Sequence, residues 1–187
     1  MTSPESLPDP TVQDAPPPTR RINLCFLGSH IAHVIALGGG SGLSPKAPGT
    51  AGTLWGWLMF LVIQRSWPDT PWGLVLLGSI LVGWWACTVT ARHAGVADPG
   101  FIVWDEVVAF WLMLWVLMPA SLPMQILAFA LFRYFDAAKP GPVRWADQAF
   151  HGSGWRGGFG IMLDDLVAAG CSLRVIALGT ALWRAWH

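Results

Sequence analysis

The sequence predicts an all-α, multi-pass membrane protein with short, interrupted helices and a polar site that faces the cytoplasm. Of its 187 residues, 53% are hydrophobic and only 12% are charged, whereas a soluble globular domain carries about 25% charged residues. Apolar segments alternate with loops rich in glycine and proline, and pairs of acidic residues stand where such loops meet apolar segments. The first two observations indicate a bilayer protein, and the third indicates a polar site at its surface.

The first 21 residues differ in composition from the rest of the chain. They are rich in proline and nearly free of large apolar side chains, which predicts a disordered tail over residues 1–21. Residues 22–187 have the length of a single domain. We expect them to form one helical membrane domain.

Residues 22–37 form a moderately apolar segment that follows Arg20 and Arg21. The segment is shorter than the roughly 20 residues that a membrane span needs, so it suits an interfacial helix, although a span stays open. His30 and His33 share a helical face. They could bind a metal, but a side that faces the lipid headgroups is the favoured interpretation.

The remaining apolar segments predict the crossings. Residues 38–52 form a loop, residues 53–67 and 73–90 are spans, and the turn between them places Trp67 and Trp72 at the membrane interface. Residues 133–165 are a long polar segment, and residues 166–186 are the last apolar helix.

The topology depends on residues 107–132, which Pro119 and Pro123 interrupt. If they form two helices joined at 121–123, the loops 38–52, 92–106 and 133–165 share one membrane face. Their lysines and arginines then make that face cytoplasmic. A single kinked span would instead put the two acidic groups on opposite faces, where they could not form one site.

Carboxylates gather in that shared zone. Asp105 and Glu106 open an apolar run, Asp98 precedes them by seven residues, and Asp136 lies in the polar segment. A second pair, Asp164 and Asp165, is also expected where a loop meets an apolar helix. Acids at a helix start can simply complement the helix dipole, but so many together require protons or a cation. Oxygen ligands favour a hard ion, most simply Mg²⁺.

Basic and hydroxyl side chains near these acids suit a phosphate group. Arg133, Asp136 and Lys139 share one helical face, and residues 38–42 offer backbone N–H groups. Thr50 or Thr53 could cap the first span. The set indicates metal-assisted attack of water on a phosphate ester at the membrane surface.

Two other classes of protein stay open. A small cation transporter or channel could use the same carboxylates, but it would need them in the middle of a span. A non-catalytic membrane subunit would leave the carboxylate pairs unexplained.

Four segments resemble the phosphatidylglycerophosphatase A family of bacterial membrane phosphatases: GSGLSPKAPGTAGTL (40–54), DPGFIVWDEVVAFW (98–111), FRYFDAAKPGPVRWAD (132–147) and GGFGIMLDDLVAAG (157–170). The resemblance implies Mg²⁺-dependent hydrolysis of phosphatidylglycerophosphate to phosphatidylglycerol in phospholipid biosynthesis. It also implies a multi-pass protein of the bacterial inner membrane. Ala109 stands where the family tends to have glycine, and the region from His151 to Gly158 is longer than the family pattern.

The residues that match the family's segments carry the predicted roles. The catalytic candidates are Asp105, Glu106, Asp136 and Asp165, one of which acts on the attacking water. The metal-ligand candidates are Asp98, Asp105, Glu106, Asp164 and Asp165. The phosphate-binding candidates are Lys46, Ser44, Thr50, Arg133 and Lys139.

Overall fold

A computed structural model describes residues 22–96, 99–150 and 154–186. These residues form α-helices and contain no β-strand, which confirms the all-α fold class. The helices are α1 (Leu24–Gly28), α2 (Ile31–Ala36), α3 (Pro48–Ser66), α4 (Trp72–Ala94), α5 (Trp104–Leu117), α6 (Leu122–Ala138), α7 (Pro142–Ala149) and α8 (Trp155–Trp186), and a 3₁₀ segment, Gly38–Leu43, precedes α3. The predicted tail, residues 1–21, lies outside the described residues.

Helix α5 forms the centre of the core. Its side chains Val108, Phe110 and Met113 are fully buried, and helices α3, α4 and α8 pack around it. A helix that is apolar on nearly all sides is expected in such a position. The acids of its first turn, Asp105 and Glu106, complement the positive end of its dipole. The central helix therefore carries these two adjacent acids at its N-terminal end.

Helices α5 and α6 form a hairpin, which confirms two helices over residues 107–132. Helix α5 ends at Leu117, and Pro123 lies in the first turn of α6. Proline is tolerated there because an N–H in the first turn has no intrahelical partner. The hairpin brings the C-terminal turns of α6 back to the level of the acids in α5.

Within residues 133–165, the helix predicted around Arg133 and Asp136 is confirmed, but the prediction that the last helix begins only at residue 166 is wrong. Helix α6 continues to Ala138, α7 follows it, and α8 begins at Trp155 instead of Leu166. The glycines at 157, 158 and 160 suggested a loop, but they lie in α8 because this helix packs closely on its neighbours. Tertiary packing overrides the low helix propensity of glycine here.

Two local predictions near the first span are also wrong: the start of the helix at residue 53 and its capping by Thr50 or Thr53. Helix α3 begins at Pro48 after Ala47, so Thr50 and Thr53 lie inside the helix and cap nothing. Trp72 is buried and stacks on Phe60 at 4.2 Å between ring centroids, whereas Trp67 is exposed as predicted. The tryptophan indole is large and apolar enough to serve the core as readily as the interface.

Residues 22–37 form two short helices instead of one, and His33 is buried instead of facing the headgroups. Its Nδ1 donates to the carbonyl oxygen of Phe26 at 2.8 Å, and its Nε2 lies 2.9 Å from Nδ1 of His93. This imidazole pair joins the N-terminal helices to the end of α4. The hydrogen bonds satisfy the polar atoms of a ring that would otherwise be costly to bury.

Two of the described helices, α4 and α8, are long and apolar enough to cross a membrane. On α4, Leu74, Leu77 and Leu81 form one exposed stripe, because residues three and four apart share a helix face. A long exposed apolar stripe favours contact with lipid or with another protein. The number of crossings stays a prediction.

The contact between α4 and α8 depends on Gly158, whose added Cβ would collide with Thr88. We expect Gly158→Ala to lower the free energy of unfolding by about 1–3 kcal/mol because the two helices would have to separate. The matched control is Gly170→Ala in the same helix, where no atom lies within 4 Å of the added Cβ. Thermal unfolding in detergent, followed by circular dichroism, measures both variants. Equal melting temperatures would contradict the close contact.

Candidate active site

Three carboxylates from two helices meet in the interior. Asp105 and Glu106 lie in the first turn of α5, and Asp165 lies in α8, ten residues after its first residue. One carboxylate oxygen from each residue lies within 4.8 Å of the other two. The three residues are only 9%, 8% and 3% exposed, respectively. We call these residues the carboxylate centre.

Each member of the carboxylate centre has an unsatisfied oxygen. Among the described residues, Asp105 Oδ1, Glu106 Oε2 and Asp165 Oδ2 are buried without a hydrogen-bond partner. Buried polar groups of native proteins normally have partners, and three neighbouring negative charges repel each other strongly in a poorly solvated interior. A divalent cation would satisfy the oxygens and offset the charge. An all-oxygen set of donors fits a hard ion such as Mg²⁺ or Ca²⁺.

Arg133 of α6 supplies the nearest positive charge. One of its guanidinium nitrogens lies 2.6 Å from Asp136 Oδ2 and 3.6 Å from Glu106 Oε1. The same nitrogen donates to the hydroxyl of Thr53 at 3.4 Å. Asp136 in turn adds its negative charge to the environment of Glu106 and Asp165. One arginine therefore leaves the group with net negative charge.

Lys139 forms a second polar group beside the first. It ends α6 in the left-handed conformation, with a φ of 41°, and its ammonium group lies 2.5 Å from Asp147 and 2.8 Å from Asp164. Burial lowers the pKa of Lys139, but the hydrogen bonds to Asp147 and Asp164 outweigh that effect and hold the pKa above its usual range. Asp164 therefore faces Lys139, whereas its neighbour Asp165 belongs to the carboxylate centre.

The start of α3 also borders the carboxylate centre. A Cβ at Gly49 would collide with the carboxylate of Glu106 and would touch the guanidinium group of Arg133, so both groups lie directly against the backbone of α3. The first N–H groups of a helix have no intrahelical partner and favour anions. Sequence reasoning missed Gly49, although the Pro-Gly pair at 48–49 marks a helix start with close backbone access.

The other predicted phosphate-binding residues lie apart from these contacts. The Ser44 hydroxyl donates to the carbonyl oxygen of Lys46 at 2.8 Å, and the Lys46 side chain is exposed. Thr50 is half-buried in the first turn of α3. Asp98, predicted as a metal ligand, and His151 lie outside the described residues. The roles of all the predicted site residues stay predictions.

Fold and site together define an all-helical protein with a buried carboxylate centre, bordered by cations and by a helix N-terminus. That arrangement suits the binding of a divalent cation beside an anionic group.

Comparison with known proteins places the chain in a family. A family model described as phosphatidylglycerophosphatase A matches residues 34–180. The chain is 39% identical over 144 residues to the phosphatidylglycerophosphatase A of Escherichia coli (strain K12), a match that spans 77% of this chain and 80% of that one. It is 38% identical over 137 residues to the enzyme of that name from Haemophilus influenzae, across 73% of this chain and 81% of that one.

A third relative carries a different name. A protein of Bacteroides thetaiotaomicron, provisionally named a phosphatidylinositol-3-phosphatase, is 37% identical over 158 residues, across 80% of this chain and 94% of that one. No solved structure matches the chain. The chain belongs to the phosphatidylglycerophosphatase A family and is a phosphatase.

If the carboxylate centre holds a divalent cation, cation removal should destabilise the fold. A ligand at a hundred times its Kd stabilises by about 2.7 kcal/mol, so we expect a melting temperature about 5–10 °C higher in Mg²⁺ or Ca²⁺ than in chelator. Asp165→Asn should lose most of this shift and should melt above the wild type in chelator, because one repulsive charge is gone. Differential scanning fluorimetry in detergent measures both effects.

The matched control is Asp69→Asn, at an exposed acid in the turn between α3 and α4. It should keep the full shift. A full shift in Asp165→Asn as well would show that the cation binds elsewhere.

Proposed function

We propose that the protein hydrolyses phosphatidylglycerophosphate to phosphatidylglycerol and inorganic phosphate, with Mg²⁺ as cofactor, in phospholipid biosynthesis. The observation that carries the proposal is the carboxylate centre with its three unsatisfied oxygens, in a chain whose close relatives are phosphatidylglycerophosphatases. A metal ion held by Asp105, Glu106 and Asp165 would polarise the phosphate and lower the pKa of an attacking water. Asp98 and Asp164 are the further candidates for ligands.

The chain's own groups account for the other parts of the reaction. Hydrogen-bond donors of three kinds would hold the phosphate oxygens. They are the cations Arg133, Lys139 and Lys46, the hydroxyl groups of Ser44 and Thr50, and the first N–H groups of α3. Such donors offset the charge that develops in the transition state. In the reaction the water oxygen bonds to phosphorus and the ester P–O bond breaks. One of the surrounding carboxylates, among them Asp136, accepts the water proton, and the leaving glycerol oxygen takes up a proton.

The distribution of charge supports an orientation in the membrane. The exposed or half-exposed cations Lys46, Arg92, Lys139, Arg144 and Arg156 lie in the loops and adjoining helix ends at the end of the fold where α5 begins. We infer that this end faces the cytoplasm of a bacterial inner membrane and that the helices cross it several times. The lipid substrate would then present its headgroup to the site from the bilayer.

One argument against the alternative of a cation transporter no longer holds, but no observation supports a transporter. Asp105 and Glu106 lie at a helix start, as predicted, whereas Asp164 and Asp165 lie about 15 Å along α8. The prediction that both acidic pairs sit at helix starts is therefore wrong for the second pair. The phosphatase is therefore favoured by family membership and no longer by the position of the acidic residues along their helices.

The decisive experiment measures phosphate release by detergent-purified protein from phosphatidylglycerophosphate and, for comparison, from phosphatidylinositol 3-phosphate. We expect release from the first lipid in Mg²⁺ and none in excess chelator. Release that persists in chelator would refute the metal requirement. Release from the inositol lipid alone would refute the proposed substrate and would favour the activity that the Bacteroides relative's name suggests.

Single-residue variants test the ligand assignment. We expect Asp105→Asn and Asp165→Asn each to lower kcat by about a hundredfold or more, because a metal ion contributes several kcal/mol to the transition state. Asp69→Asn should keep the wild-type rate. Far-ultraviolet circular dichroism shows whether each variant folds. Near-normal turnover by both folded variants would contradict the assignment.

A further inference from the structure

Arg174 is a charged residue in an apolar part of α8. The catalytic proposal gives this residue no role. It follows Asp165 by nine residues, which places it about 14 Å further along the helix and about half a turn around it. Arg174 therefore points away from the carboxylate centre. Its side chain is exposed on the helix surface. An arginine in an apolar segment normally faces a partner or a water-filled cavity because burial in lipid is costly.

A cavity of about 700 Å³ lies beside Arg174. It exists because the α5–α6 hairpin turns at residues 118–121, while α8 continues to Trp186. The walls are mainly apolar and include Leu117, Pro119, Met124 and Ile176, with Arg174 as the charged residue among them. Its volume lies within the usual range for ligand sites, about 300–1,000 Å³. We call this cavity the hairpin groove.

The guanidinium group in the hairpin groove has no protein counterion. Arg174 forms no ion pair or hydrogen bond within the described part of the chain, and no acidic residue lines the groove. A second copy of the chain, docked by a two-fold axis, would present this same face. The lining residues of that face include no acid, so the second copy's groove would offer Arg174 no counterion. A partner with one negative headgroup and long apolar chains fits the groove better.

We propose that the hairpin groove binds one anionic phospholipid, with its phosphate against Arg174 and an acyl chain along Met124 and Ile176. Arginine pairs with phosphate through two parallel hydrogen bonds, and the mainly apolar walls of the groove suit an acyl chain. This site is separate from the carboxylate centre. The proposal therefore does not depend on the reaction that the enzyme catalyses.

Native mass spectrometry of the purified full-length chain tests the proposal after incubation with equal amounts of phosphatidylserine and phosphatidylcholine. Phosphatidylserine is the anionic probe because it is neither the proposed substrate nor the proposed product. We expect one phosphatidylserine retained by the wild type, with about tenfold weaker retention by Arg174→Gln, the usual effect of losing a charge-assisted hydrogen bond. The control Arg65→Gln removes an exposed cation near the end of α3 and should retain the lipid.

A second variant keeps the test decisive if Arg174→Gln folds poorly. Ala177 lines the groove and is exposed, so Ala177→Phe should displace the lipid while it leaves the charge in place. Equal retention by the wild type and Arg174→Gln, or equal retention of phosphatidylcholine, would overturn the proposal. So would a wild-type dimer that retains no lipid and that Ala177→Phe dissociates, since a second copy would then occupy the groove.

Discussion

The burial of three like charges is the constraint on which the rest of the structure depends. Asp105, Glu106 and Asp165 lie in a poorly solvated interior, where unpaired carboxylates are costly. The fold offsets part of that cost with the dipole of α5 and with Arg133. It then adds Asp136, which restores negative charge. This arrangement adds nothing to stability by itself, whereas a bound cation would offset the repulsion between the carboxylates.

Close helix packing is what brings these groups together. On α3, Gly49, Gly52 and Gly56 lie on one face, and their missing side chains leave room for Glu106, Val103 and Val107, respectively. This face lets α3 approach the first turns of α5. On α8, Gly158 does the same against α4. Small residues at such spacing are common where helices pack in membranes. The polar site therefore depends on apolar contacts made by residues that have no side chain.

Sequence reasoning succeeded where the signal is local. The break between α5 and α6 follows from two prolines, and the acids stand out because the chain has so few charges. Sequence reasoning failed where contacts between helices determine the local structure. The glycines before Asp164 looked like a loop but form the first turns of α8, and His33 looked like an interfacial residue but lies in the core. Neither outcome can be derived from one segment, because the neighbouring helices α4 and α5 supply the contacts.

Helix register explains how α8 serves several purposes at once. Adjacent residues in a helix point about 100° apart, so Asp164 contacts Lys139 while Asp165 lies beside Asp105 and Glu106. Two acids that look equivalent in the sequence therefore have different surroundings, one beside a cation and one among carboxylates. Arg174, half a turn from Asp165, faces the hairpin groove. Because these directions are fixed by the helix, opposite charges on one element stay apart, and the positive charge of Arg174 does not neutralise the centre.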